Sequence, residues 1–225
     1  MIVILLIVPV ANAQVLISLL FGDALNTGNV EFGLDGGINL ATMDGIDKAK
    51  YLTAWNLGFY FDIKLPDSSW MIHTGVIVKS TLGAENLPVY TLNDEDLDDA
   101  FSGGTVTTSL QYFNVPIMLK YRLKSHFFVE GGGMLGLLHK ATDEFNNSVQ
   151  ETDDLTFERN VKKEYHPLDA GFMIGVGYRL FGGNGMNLGI RYYYGMVDVY
   201  IDDSTPNVYN RALYFTVGIP IGAGK

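Results

Sequence analysis

Three groups of residues in this chain have types and spacings that could do chemistry. The first is four histidines: His73, His126, His139 and His166. His139 and His166 flank one connection, and Asp169 follows close behind. Two imidazoles beside a carboxylate could move protons. No serine motif of the form G-x-S-x-G accompanies them, and there is no G-x-x-x-x-G-K-[ST] phosphate loop. The run Gly131-Gly132-Gly133 reads as strand glycine rather than a nucleotide cradle. His139 and His166 therefore read as rim histidines, His126 as a turn residue and His73 as an inward residue beside charges, and the chain as non-enzymatic. The second group is Asp94, Glu95, Asp96, Asp98 and Asp99, five acids in one short connection. Clustered carboxylates suit hard cations such as Ca2+ or Mg2+, although the spacing is not that of an EF-hand. The third group is charged residues at alternate positions. Lys64, Lys79, Lys120, Arg122, Lys140, Arg179 and Arg191 stand against Glu31, Asp35, Asp62, Glu130 and Asp169. Enclosed together they would need to form a salt-bridge network.

The elements that hold these groups are strands. Side chains alternate between the two faces of a strand. The organising stretch is Gln111 to Lys140. In its first half Phe113, Val115, Ile117, Leu119 and Tyr121 share one face, and Tyr112, Asn114, Met118, Lys120 and Arg122 share the other. A turn at Lys124-Ser125-His126 leads to a second strand with the same division. Six further strands follow this pattern, at about Asn29–Leu40, Ala54–Leu65, Trp70–Lys79, His166–Leu180, Asn187–Gly195 and Asn210–Ile221. Connections alternate long and short through the chain. That predicts a closed, all-β, eight-stranded antiparallel transmembrane β-barrel with short periplasmic turns and long extracellular loops.

Composition points the same way. Mean hydropathy is +0.15 with 48% hydrophobic residues, yet no run beyond the N-terminus approaches the ~20 apolar residues of a membrane helix. The net charge of -10 argues against a nucleic-acid partner. Four long connections hold 18 of the 25 acids and 5 of the 15 bases. Their net charge is -13, and the rest of the chain is +3. There is no cysteine, hence no disulfide or thiolate metal site. Residues 2–10 and the sequence Ala11-Asn12-Ala13 fit an export leader over 1–13, followed by a periplasmic lead over 14–28 and the barrel over 29–225.

Two features favour lipid outside and charge inside. Glycines such as Gly33, Gly58, Gly75, Gly132, Gly175 and Gly177 lie on the charged face, where a narrow barrel must fit large residues beside small ones. Trp70, Tyr121, Phe127 and Tyr178 flank the tight turns on the apolar face, as at a membrane interface. Pro116 lies mid-strand, where a bulge, or an inward carbonyl satisfied by water, would accommodate its missing N–H.

The segments Phe32–Leu40, Tyr112–Arg122 and Gly189–Gly195 resemble the outer-membrane β-barrel "porin family" domain of Gram-negative bacteria, with PorT-type proteins among its relatives. The resemblance covers about residues 29–222. It implies an eight-stranded barrel in the outer membrane and says little about activity. The expected role is a polar-plugged scaffold whose acidic outer loops meet ions, surface polymer or a protein partner. Outer-membrane lipid and lipopolysaccharide would surround a monomer. A narrow transport pore or secretion accessory is the alternative, and an outer-membrane enzyme the weakest one.

Overall fold

A computed structural model describes residues 28–67, 69–150, 153–202 and 207–221. The leader 1–13 and nearly all of the lead 14–28 lie outside them. The described residues form nine strands: β1 (Val30–Asp44), β2 (Leu52–Lys64), β3 (Trp70–Leu87), β4 (Thr105–Arg122), β5 (Phe127–Gln150), β6 (Asp153–Asn160), β7 (Leu168–Arg179), β8 (Asn187–Asp198) and β9 (Tyr209–Pro220). A short helix, α1 (Glu95–Ala100), lies between β3 and β4. The sheet order is β4-β3-β2-β1-β9-β8-β7-β5, and β4–β5 pairing closes it. Eight antiparallel strands thus form the expected ring. The ninth, β6, stands outside the ring and folds back on the upper part of β5, with Phe145 opposite Phe157. No helix among the described residues is long and apolar enough to cross a membrane.

The parity of β4 shows how the wall is built. Even-numbered residues face inward along its whole length, from Val106 to Lys120. Below Gln111 the outward residues are Phe113, Val115, Ile117, Leu119 and Tyr121. Ile117 is 53% exposed. Trp55, Leu135, Phe172, Ile174, Ile190 and Phe215 continue the belt around the ring. Each such side chain would gain about 1.5–3 kcal/mol on leaving water, so acyl chains are its proper solvent. Above Gln111 the faces exchange character. Thr105, Thr107 and Ser109 now point outward, and Val106 and Leu110 are buried inside. Leu82, Ala84, Leu138, Ala141, Phe145, Val161, Tyr165, Val199 and Val208 join them in one apolar cluster. The strands therefore continue above the belt as a tower with an apolar core.

Near the periplasmic rim, Trp70 meets Tyr121 at 4.7 Å and Phe127 meets Tyr178 at 4.9 Å between ring centroids, forming the expected aromatic girdle. The tight turn before β5 uses His126 at φ 68°, with Leu123 N–H donating to Phe127 at 2.8 Å. Inside the lumen small residues make room for large ones. A Cβ on Gly33 would stand 2.3 Å from the Tyr60 ring, and one on Gly177 would stand 2.2 Å from Phe128. Pro116 causes no bulge. The β3–β4 register runs from Thr74↔Ile117 to Ile77↔Asn114, three residues on each strand, so the proline is spanned without slippage.

The charged lumen and the extracellular vestibule as candidate functional site

The lower lumen is organised by two ion-pair clusters. In the first, Arg179 donates from both terminal nitrogens to Glu31, at 2.9 and 2.7 Å. Tyr60 donates to the same carboxylate at 3.0 Å, and Asn187 donates to Tyr60 at 3.3 Å. The second is a chain across the barrel. Lys120 donates to Asp62 at 2.8 Å, and His73 Nδ1 lies 2.6 Å from the other Asp62 oxygen. Arg191 reaches His73 Nε2 at 3.1 Å, Asp35 at 2.6 Å and Glu130 at 2.5 Å. A guanidinium can only donate, so His73 Nε2 accepts and Nδ1 carries the ring proton toward Asp62. All six of these side chains are buried. Stripping ions of water costs several kcal/mol each, and the paired geometry offsets that cost.

Eleven sequence residues were expected in this network, with Lys140 beside them, and the structure sorts them. Glu31, Asp35, Asp62, Lys120, Glu130, Arg179 and Arg191 form ion pairs inside. Arg122 faces the lumen, but its buried Nε has no hydrogen-bond partner among the described residues. Asp169 also faces inward, where it accepts from Asn210 at 2.9 Å rather than pairing with a base. Lys79 does not belong inside. A one-residue bulge shifts the register between Ile77 and Ser80 and reverses parity. Lys79 thus turns outward and lies 3.6 Å above the Trp55 ring. Lys64 is an exposed residue at the periplasmic rim and donates to the Gly28 carbonyl at 3.1 Å. Lys140 is likewise exposed and meets Glu158 at 3.5 Å. His73 was legible only as an inward histidine near charges; its bridging role needs partners from β2 and β8.

The histidine–aspartate group does not assemble. His139 stacks on Phe113 at 4.4 Å outside the wall, while Asp169 lies inside it. The five acids around α1 are partly used by the backbone. Asp94 caps the helix by accepting from Asp96 and Leu97 N–H groups, both at 3.2 Å. Asp98 accepts from Leu92 N–H and the Thr91 hydroxyl, both at 2.6 Å, which lowers its pKa. Among the described residues no three acidic or histidine side chains converge as a metal cage.

The tower holds a site that alternation did not disclose. Asp143 on the upper part of β5 is buried above the apolar belt. Thr108 donates to one of its oxygens at 2.5 Å and Tyr90 to the other at 2.7 Å. Arg159 donates to the Tyr90 hydroxyl at 2.9 Å and pairs with Glu164 at 2.7 Å. Burial pushes the Asp143 carboxyl above its ordinary pKa, against the pull of these two hydroxyls. Tyr165 continues the group toward Tyr200, their rings 5.0 Å apart. The available signal was the spacing of Ala141, Asp143 and Phe145 against Thr142 and Glu144. It continues the odd-numbered apolar series of Leu135 and Leu137, but the extra residue at His139, where the register shifts, turns that series from the outside to the inside.

A family profile described as outer membrane protein beta-barrel domain matches residues 12–200. No curated protein sequence is significantly similar to this chain. Among solved structures, Ail of Yersinia pestis aligns at 10% identity over 86% of this chain and 99% of its own, with a TM-score of 0.45. Neisserial surface protein A aligns at 10% identity over 84% and 96%, with a TM-score of 0.45. OprG of Pseudomonas aeruginosa aligns at 14% identity over 85% and 93%, with a TM-score of 0.38. The match spans most of the chain, and the lipid-facing belt on a closed ring agrees with it. The chain belongs to the outer membrane protein beta-barrel domain family and is an integral protein of the cell outer membrane.

Proposed function

We propose that this barrel is a non-conducting, non-enzymatic scaffold. Its extracellular tower offers an acidic surface to cations, to cation-bridged surface polymer or to a basic protein. One observation carries the reading: the cross-section is occupied at two levels. The Lys120–Asp62–His73–Arg191 chain crosses the lower lumen, and the apolar cluster around Leu110 and Phe145 fills the tower. An eight-stranded bore is only just wide enough for side chains, so filling it twice leaves little for solute. The acids of the long connections supply the field that would draw a positive partner.

Planar bilayers test the first half. The purified barrel is expected to insert without steady current steps; sustained ohmic current would remove the plugged reading. For the second half, a polylysine probe should bind the detergent-solubilised protein and be released as salt rises. Binding that is indifferent to salt would speak against an acidic recognition surface.

A further inference from the structure

The extracellular end of the barrel encloses a cavity of about 410 Å3, within the usual range for small-molecule sites. Leu87, Val89, Val106 and Val208 supply apolar wall, and Tyr90 and Asp143 form its polar end. The apolar tower core lies beneath, so the cavity is a blind vestibule rather than the mouth of a passage. Asp143 is the lining residue that is both charged and buried, at 3% exposure. Its carboxylate is held from both sides by the hydroxyls of Thr108 and Tyr90. A carboxylate oxygen has two acceptor directions, so each keeps one after these bonds. Among the described residues no Lys or Arg forms an ion pair with it; the nearby Arg159 uses one terminal nitrogen on Tyr90 and the other on Glu164. Arg159 thus acts on this carboxylate only through space, and a fixed carboxylate in an apolar recess without a directly bonded cation is costly. A positive group entering the recess would supply that charge.

We infer that this vestibule binds a small organic cation, one ammonium group carried on an apolar body. The ammonium would donate to Asp143, and the body would lie along Leu87, Val89 and Val208. Tyr200 also lines the recess, and tyrosine faces attract cations. The surrounding loops concentrate positive ligands and repel anions. A bare metal ion fits poorly, because the recess offers one buried carboxylate, Asp143, and one exposed one, Asp47, and no three acidic or histidine side chains converge among the described residues. The inference holds whether or not the barrel conducts ions.

The test is calorimetric titration of the full chain in detergent micelles with phenethylamine and with its neutral isostere 2-phenylethanol. The amine should bind about tenfold or more tightly than the alcohol. Asp143→Asn should remove that preference while leaving alcohol binding unchanged. Val89→Trp, which fills the recess from its rim, should weaken both ligands. Equal affinity for amine and alcohol in the wild-type protein would overturn the inference, and this comparison needs no variant to fold. Failure of the amine to bind at millimolar concentration, or tight amine binding by Asp143→Asn, would overturn it as well.

Discussion

The lower barrel and the tower are two halves of the same strands with opposite interiors. Along β4, Ile117 and Leu119 face outward opposite an inward Lys120, whereas Thr107 and Ser109 face outward opposite an inward Val106. The in-and-out parity of β4 is unbroken between these regions, because the register shifts at Gln111/Tyr112 and Ile77/Ser80 place their extra residues on β5 and β3; what changes is the surroundings. Lipid accepts apolar side chains and leaves the lumen to charge, while water outside the tower returns the interior to hydrophobic packing. A sheet face is therefore apolar or polar according to what it touches. The same closed ring satisfies both rules at different heights.

The contrast breaks most sharply when each interior loses the group it depends on. Arg191→Ala leaves Asp35 and Glu130 buried without their base, and should cost about 3–5 kcal/mol in guanidinium unfolding from lipid vesicles. Phe145→Ala should cost a similar ~3–5 kcal/mol for a different reason, the cavity left beside Phe101 and Phe157. If Phe145→Ala proved neutral, the tower would have no apolar core of consequence.

The exterior gives a finer comparison on one strand. Ile117→Arg sets a charge in the lipid belt and should cost about 2–4 kcal/mol. Thr107→Arg, on the same outward face ten residues earlier, should stay within about 0.5 kcal/mol. Equal costs in a vesicle-folding titration would place both sites in the same solvent and remove the division at Gln111.

Smaller effects sharpen the electrostatics of the tower. The folded-state pKa of Asp143 is raised, so folding favours its protonated form. Stability from this group is fully present below the unfolded carboxyl range and is lost as pH rises through the folded value. Asp143→Asn should therefore raise the thermal midpoint at neutral pH and reduce its fall between acid and neutral pH. An unchanged pH profile would show that burial does not act on this carboxyl. Asp98 has the opposite sign. Its lowered pKa means that its contribution is present above the unfolded value and lost as pH falls through the folded one. The observable is local: protection of the Leu92 amide, relative to its intrinsic exchange rate at each pH, should fall in acid, and Asp98→Asn should lower that protection at neutral pH.

Much of the ring was readable in advance. Eight alternating runs, the outward set Phe113 to Tyr121 and the girdle residues Trp70, Tyr121, Phe127 and Tyr178 all hold. The upper strand ends were not readable, because polarity reverses there. The expected start at Gln111 becomes Thr105, and the expected end of the next strand at Lys140 becomes Gln150. Reading for outward grease, one meets Thr105, Thr107 and Ser109 and takes the segment for a loop. Lys79 was misplaced because alternation counts residues and cannot see the bulge that adds one.

By itself the sequence determined the period of the strands and the side on which each residue falls between bulges. These are local properties, since successive side chains must alternate on an extended backbone. Only the tertiary structure decided which charges meet. Arg191 finds Asp35 across 156 residues and Arg179 finds Glu31 across 148, because closing the ring brings late strands beside the first one. The vestibule arose in the same way: Tyr90, Thr108, Asp143 and Tyr200 share one recess because β3, β4 and β5 meet the β1–β2, β3–β4 and β8–β9 connections at the upper rim.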